Sequence, residues 1–374
     1  MTTRPPAEIG LPREAVDTPA LLLEMETFER NLRRLPAAVA GSPVRLRPHA
    51  KTHKCPAIAL RQIAEGAVGV CCQKVSEAEA MVAGGVPDVL VSNEVVGEPK
   101  LRRLAALARQ ARVAVCADDV GNVADLNAAA AAAGLRLPVL VEVNVGADRC
   151  GVEPGDPALA LARLIAASPA LRFGGIQAYH GSAQHIRDFG QRRAAIDAAV
   201  EKVRRTLDLL RRAGIPCDMV TGSGTGTYRF EAGSGVFTEL QAGSYIFMDA
   251  DYARDLAEDG GPYRDFEHSL FVYATVMSCP AKDRAVVDAG LKALSVDSGV
   301  PLVHAMPDVE YMRASDEHGT LTLHDPNRAL RVGDKVRLIP GHCDPTVNLH
   351  DWYVCVRAGR VEDLWPITAR GPGL

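Results

Sequence analysis

Short apolar runs alternate with amphipathic stretches along most of the chain. The runs Val44–Leu46, Val68–Cys71, Asp88–Val91, Val113–Cys116, Pro138–Val143, Gly174–Ala178, Asp218–Val220 and Phe237–Phe247 read as buried strands. Between them, Pro56–Glu65, Ser76–Ala83, Pro99–Arg109, Val120–Ala133, Pro157–Ala167 and Ile186–Arg212 carry the spacing of helices with one apolar face. Ser76-Glu77-Ala78-Glu79 reads as a capping box and Gly214 as a helix stop. The link from Val220 to Phe237 is short and glycine-rich and predicts little helix. Eight strands alternating with helices predict an α/β fold, a parallel (β/α)8 barrel. A doubly wound sheet would carry G-x-G-x-x-G after its first strand, and no such run occurs there.

From about Gly261 the helical period disappears. Leu270–Met277, Ala285–Val287, Thr320–Leu323, Lys335–Ile339 and Trp352–Val356 are β-like runs between Pro, Gly and Asp turns, which predicts an all-β C-terminal domain. The expected division is a barrel over 24–255 and a β domain over 256–374. The N-terminal segment 1–23, with a short strand at Ala20–Leu23, is expected to join the β domain. A length of 374 residues suits two such units.

A formal net charge of −4 offers no basic field for nucleic acid or an anionic membrane. No apolar run is long enough to span a bilayer, and Met1–Ala20 lacks the apolar core of a secretory signal. Nine cysteines, scattered and without a C-x-x-C pair, fit free thiols in a reducing compartment, so a cytoplasmic protein is expected.

The candidate chemistry gathers around Arg47-Pro48-His49-Ala50-Lys51-Thr52-His53-Lys54, a strand end entering a turn. Neighbouring cations would lower the pKa of Lys51 and free a nucleophilic amine; the plainer reading is a solvated basic turn. Barrel enzymes place their chemistry at the C-terminal ends of strands. Lys51, Gln73 with Lys74, Asn144–Arg149, Tyr179-His180-Gly181 and Thr221–Gly226 all fall on that rim. The loop Thr221-Gly222-Ser223-Gly224-Thr225-Gly226, completed by Gly243-Ser244, has the composition of a phosphate cradle, or of an ordinary connection. It lacks the G-K-[ST] of a P-loop. In His342-Cys343-Asp344 an extended backbone would put His342 and Asp344 on one face, as a two-ligand cation site or a polar turn.

Arg-Pro-His-x-Lys-Thr-His-Lys resembles the cofactor-lysine segment of the D-threonine aldolase and D-serine dehydratase group. These are pyridoxal 5'-phosphate enzymes of the alanine racemase class, fold type III, in which a barrel precedes a β domain. The resemblance covers nearly the whole chain and implies that Lys51 carries the cofactor. It also implies that Arg149, in Val143–Gly151, reaches the cofactor's phenolic oxygen and that Tyr179 packs against its ring. Gln73 and the glycine-rich loops complete the cofactor site on this reading. Gln241 aligns where alanine racemases set an arginine on the pyridine nitrogen, which argues against a racemase. His185 resembles the family histidine beside the substrate hydroxyl. His342 and Asp344 resemble the aldolase group's His-x-Asp, which holds a divalent cation; the dehydratase group has His-x-Cys with zinc. Oxygen-rich ligation favours Mn²⁺ or Mg²⁺.

The implied activity is metal-activated cleavage of D-β-hydroxy amino acids, such as D-threonine, to glycine and an aldehyde. The alternatives are a dehydratase giving a keto acid and ammonia, and a non-catalytic cofactor-binding protein, which would resemble the barrel alone. Analogy with the class implies a homodimer.

Overall fold

The structure, a computed structural model, describes residues 4–373; residues 1–3 of the N-terminal segment and residue 374 lie outside the described residues. Strand β1 (Ala20–Glu24) and helix α1 (Met25–Ala38) lead into the barrel. Its strands are β2 (Arg45–Leu46), β3 (Val70–Cys72), β4 (Asp88–Glu94), β5 (Arg112–Ala117), β6 (Leu137–Glu142), β7 (Leu171–Gln177), β8 (Val220–Gly222) and β9 (Glu239–Leu240). All pair in parallel in the order β2-β9-β8-β7-β6-β5-β4-β3. A parallel bridge between His49 and Cys71 closes the ring, with Ala50 N–H donating to Cys71 O at 2.7 Å and Cys71 N–H to Pro48 O at 2.9 Å. The expected barrel is the observed one.

The helices that cover it are α2 (Pro56–Ala64), α3 (Val75–Ala83), α4 (Glu98–Leu107), α5 (Val120–Ala132), α6 (Asp156–Ala167), α7 (Phe189–Arg212) and the short α8 (Tyr228–Gly233). Three local readings change. Glu77, not Glu79, caps α3, accepting from the Gln73 and Lys74 N–H groups at 2.7 and 3.3 Å, while Glu79 pairs with Arg103. Helix α7 starts at Phe189 instead of Ile186 because the Asp188 carboxylate accepts the Gln191 N–H at 2.8 Å and fixes the N-cap there. The run Phe237–Phe247 contributes only two residues of strand before turning into a loop and a 3-10 turn at Ser244–Ile246. Gly214, with φ +72°, does end α7.

The second sheet holds β10 (Leu270–Ala281), β11 (Arg284–Val287), β12 (Leu302–Val303), β13 (Val309–Ala314), β14 (Gly319–Leu323), β15 (Lys335–Ile339), β16 (Trp352–Arg357) and β17 (Arg360–Pro366). Strand β1 lies between β10, antiparallel, and β16, parallel, so the chain enters through this sheet before building the barrel. Strands β12, β13 and β17 escape the sequence reading. Polar and exposed residues interrupt them, as in Val309-Glu310-Tyr311-Met312-Arg313. Helix α9 (Cys343–Val347) sits between β15 and β16 and faces the mouth of the barrel.

Candidate active site

Side chains alternate across a strand, so every second residue of a barrel strand points inward. Cys71, Leu90, Cys116 and Leu140 form an apolar inner layer, with Met219 packed against it. Two residues further along the same strands, the inward positions become polar: Gln73, Ser92, Asp118 and Glu142. On the other side of the ring, Arg47 leads to His49, Gln177 to Tyr179, Thr221 to Ser223 and Glu239 to Gln241 and Gly243.

Most of these upper residues line a cavity at the C-terminal mouth of the barrel. Its walls include Lys51, Gln73, Arg149, Tyr179, Ser223, Gly224, Gln241, Gly243 and Ser244, all expected on the rim. Thr225, from the expected glycine-rich loop, lines it too; His49, Thr52, Ser92, Gln177 and Tyr252 line it as well and escaped the sequence reading. The two-residue period would have found His49, Ser92 and Gln177.

A buried polar network supports the floor. Arg47 Nε donates to Glu239 at 2.8 Å and its Nη1 to Asp88 at 2.6 Å. Thr221 Oγ1 donates to Glu239 at 3.2 Å and accepts from Gln241 Nε2 at 2.8 Å. Gln241 and Gln177 exchange amide hydrogen bonds of 2.7 and 3.1 Å. Thr221 therefore does not line the cavity but props Gln241 from below. Gly222 lies in the strand, where a Cβ would strike the Ala178 carbonyl; its lack of a side chain serves strand packing, not an open cradle.

Lys51 stands differently from expectation. Its Nζ donates to Asp344 of α9 in a very short ion pair. Burial pushes the ammonium pKa down, but the Asp344 carboxylate, with a smaller effect from Tyr179, more than offsets this and holds it above the ordinary lysine value. The expected lowering by neighbouring cations fails because those neighbours carry no free charge. Burial holds His49 down to about 3 and His53 down to about 4, so both are neutral at pH 7. Lys54 is paired with Glu77 at 2.9 Å.

Across the cavity, the Arg149 guanidinium lies over the Tyr179 ring, 5.8 Å from its centroid. The loop donors remain open. The hydroxyls of Thr52 and Thr225 are buried without a hydrogen-bond partner. Among the described residues the N–H groups of Ser223, Thr225, Gly243 and Ser244 find no acceptor. A Cβ at Gly243 would stand 2.7 Å from Thr52 Oγ1 and 2.8 Å from the His49 carbonyl, so only glycine lets these two loops approach. Such a set of inward donors suits a dianion.

His342-Cys343-Asp344 is not extended. His342 keeps a β backbone as the N-cap residue of α9, and Asp344 lies in its first turn. Pro345 is tolerated there because its missing N–H would be unpaired anyway, and Asp249, 94 residues away, accepts the Cys343 N–H at 3.0 Å. His342 Nδ1 meets Asp297 at 2.8 Å, and the Lys51 ammonium holds the Asp344 carboxyl below the usual range. Imidazole and carboxylate stand at the N-cap and in the first turn of one short helix, not on one face of a strand.

His185 does not line the cavity. It is exposed on a 3-10 turn at Ser182–His185, with Nδ1 at 2.9 Å from Asp251, and that bond raises its pKa. The Asp251 N–H in turn donates to Gly341 at 3.1 Å, beside His342.

The chain matches the family model described as alanine racemase, N-terminal domain, over residues 23–251, and a serine dehydratase domain model over residues 269–356. A D-threonine aldolase of Arthrobacter sp is 50% identical over 367 residues, spanning 98% of this chain and 96% of that one. A 3-hydroxy-D-aspartate aldolase of Paracoccus denitrificans is 48% identical with the same coverage, whereas a Delftia D-threo-3-hydroxyaspartate dehydratase is 28% identical over 94% of this chain and 97% of its own. The solved structure of a Filomicrobium marinum D-threonine aldolase superposes with a TM-score of 0.96 at 51% identity, covering 99% of each chain. No described helix is long and apolar enough to cross a membrane. With relatives at half identity over nearly their full length, the chain belongs to the family of the D-threonine and 3-hydroxy-D-aspartate aldolases, lyases built on the alanine racemase barrel.

Proposed function

We propose that the protein is a pyridoxal 5'-phosphate-dependent aldolase that splits the Cα–Cβ bond of D-β-hydroxy amino acids into glycine and an aldehyde. The observation that carries the proposal is a single cavity in which Lys51, the one lysine of its lining, faces Arg149, Tyr179 and two loops of unpartnered donors. The residues present fit the cofactor, which when bound supplies the electron sink for the bond broken at Cα.

Lys51 would hold it covalently through Nζ, and Arg149 would donate to its phenolic oxygen beside Tyr179. The N–H groups of Ser223, Thr225, Gly243 and Ser244, with the Thr225 hydroxyl, would cradle the phosphate, while Gly224 gives the loop room to pass Gln184. Gln241 would face the ring nitrogen as a neutral amide, its orientation set by Gln177 and Thr221. Gln73 and His49 would close the remaining wall.

His342 and Asp344 fit a divalent cation, Mn²⁺ or Mg²⁺, which when bound would acidify a coordinated hydroxyl. His342 Nε2 carries no partner among the described residues, and Asp344 already attracts the Lys51 ammonium. His185, tied through Asp251 to the backbone beside His342, would take the hydroxyl proton, and its raised pKa suits a base that must keep it. A homodimer in the cytoplasm completes the reading; the nine cysteines are all free.

Product analysis with D-threonine tests it. Glycine and acetaldehyde are expected, with turnover lost in Lys51→Ala and after chelation. Formation of 2-oxobutanoate and ammonia would overturn the reaction assignment.

A further inference from the structure

The alternation that lines the cavity leaves a second polar cluster on the β4–β6 side of the barrel mouth. Glu94 ends β4, Asp118 follows β5, Glu142 ends β6, and Cys150 returns from the loop after β6. A register shift between Val91 and Glu94 sets Glu94 beside Cys116, an inward position, so its carboxylate turns toward the others. One oxygen each of Glu94 and Asp118 and the Cys150 Sγ lie within 4.8 Å of one another. The Gly151 N–H donates to Asp118 at 2.9 Å and ties the Cys150 turn to that carboxylate.

Glu142 is the independent sign that a partner is missing. It is 6% exposed, its carboxyl lies within hydrogen-bonding reach of Glu94, and its Oε2 has no partner. Glu94 Oε1 is buried and equally unpartnered. A buried carboxyl and a half-buried one within reach of each other need a proton or a cation between them. Arg149 acts on Glu142 and Cys150 only through space, since it lies over Tyr179 and makes no ion pair with these groups among the described residues.

We propose that Glu94, Asp118 and Cys150, backed by Glu142, form a second metal site for a borderline divalent cation of the Zn²⁺ class, separate from His342 and Asp344. A thiolate among the donors disfavours Mg²⁺ and Ca²⁺, which take oxygen alone, and suits Zn²⁺. Ligand atoms at about 2.0–2.3 Å from tetrahedral Zn²⁺ stand roughly 3–4 Å apart, so side-chain rotations of ångström scale close the cluster. With the carboxylates occupied by a cation, Arg149 stays on Tyr179 and available to the cavity.

The test is equilibrium dialysis of Zn²⁺ against the holoenzyme carrying His342→Ala and Asp344→Ala, which removes the other candidate site. One tightly held Zn²⁺ per chain is expected, not displaced by excess Mg²⁺. Adding Glu94→Gln and Cys150→Ser should weaken it by more than the roughly 100-fold that loss of an outer-shell partner costs. Cd²⁺ loaded into the otherwise unaltered enzyme should give an ultraviolet thiolate charge-transfer band, lost in Cys150→Ser and kept in Cys217→Ser. Zn²⁺ binding unchanged by Glu94→Gln with Cys150→Ser, or absent before they are introduced, overturns the proposal. So does a Cd²⁺ band that survives Cys150→Ser, a variant conservative enough to read even where the multiple variant fails to fold.

Discussion

Glu239→Ala probes the buried ion pair that joins the first and last strands of the barrel. Arg47 and Glu239 meet across β2 and β9 at 2.8 Å, with 5% and 0% exposure. The substitution leaves the Arg47 guanidinium with Asp88 alone and deprives Thr221 of its acceptor. Stranding one member of a buried pair costs about 3–5 kcal/mol, and the surviving Asp88 contact sets the expected loss near the lower end, about 3 kcal/mol. Replacing both charges together, Arg47→Met with Glu239→Leu, should recover most of that loss, because no buried charge is left uncompensated. Asp88 keeps Arg112 at 2.9 Å in that double variant. Denaturant unfolding of the wild type, Arg47→Met, Glu239→Leu and the double variant gives the cycle directly, with Glu239→Ala measured beside them. Retention of the cofactor should fall with stability in Glu239→Ala, since β2 leads to Lys51 and β9 to Gly243. A loss below about 1 kcal/mol in Glu239→Ala, or a double variant as unstable as the sum of the singles, would refute the reasoning.

Three further outcomes follow from the same geometry. In Asp344→Asn the carboxylate that raises the Lys51 pKa is gone and burial alone acts, so the pH midpoint for cofactor attachment should move down; an unchanged midpoint in stopped-flow uptake would count against the pairing. Buried His53 is held down to about 4, whereas an unfolded histidine titrates near 6.5, so the unfolded chain binds the extra proton and stability drops as pH falls from about 6.5 to 4. His53→Gln should flatten that slope, measured by denaturant midpoints at several pH values. Gly243→Ala forces a Cβ against the His49 carbonyl, an overpacking of about 1–3 kcal/mol, and cofactor titration should show weaker binding by roughly five- to a hundredfold.

The barrel was legible because its strands are buried on both sides and its helices on one, and each condition writes its own period into the sequence. Lys51, Arg149, Tyr179 and the Ser223–Thr225 loop were legible because strand ends set the rim. The electrostatics were not. Lys51 sits among cations in sequence, yet its controlling partner is Asp344, 293 residues away, and Lys54 is neutralised by Glu77 on the next helix. The helix at Cys343–Val347 was hidden for a similar reason, since the acceptor that caps it is Asp249 of the barrel end. Local pattern fixes which way a side chain points; the charge it meets is decided by segments the pattern cannot bring together.

That difference has a mechanical consequence for the turn bearing Lys51. The β domain grips it at several points: Tyr353 donates its hydroxyl to the His53 carbonyl at 2.7 Å, Ala369 N–H donates to the Lys54 carbonyl at 3.1 Å, and Lys54 Nζ reaches the Ala369 carbonyl at 3.5 Å. Asp344 then takes the amine itself. The barrel supplies the floor, the glycine loops and Arg149, but the pKa and position of the one lysine in the cavity are set by the second sheet. Strand β1 threads that sheet before the barrel begins, so α9 is anchored to both ends of the chain. A barrel without its β domain would keep the rim residues and lose control of the amine among them, which is why the two units act as one site.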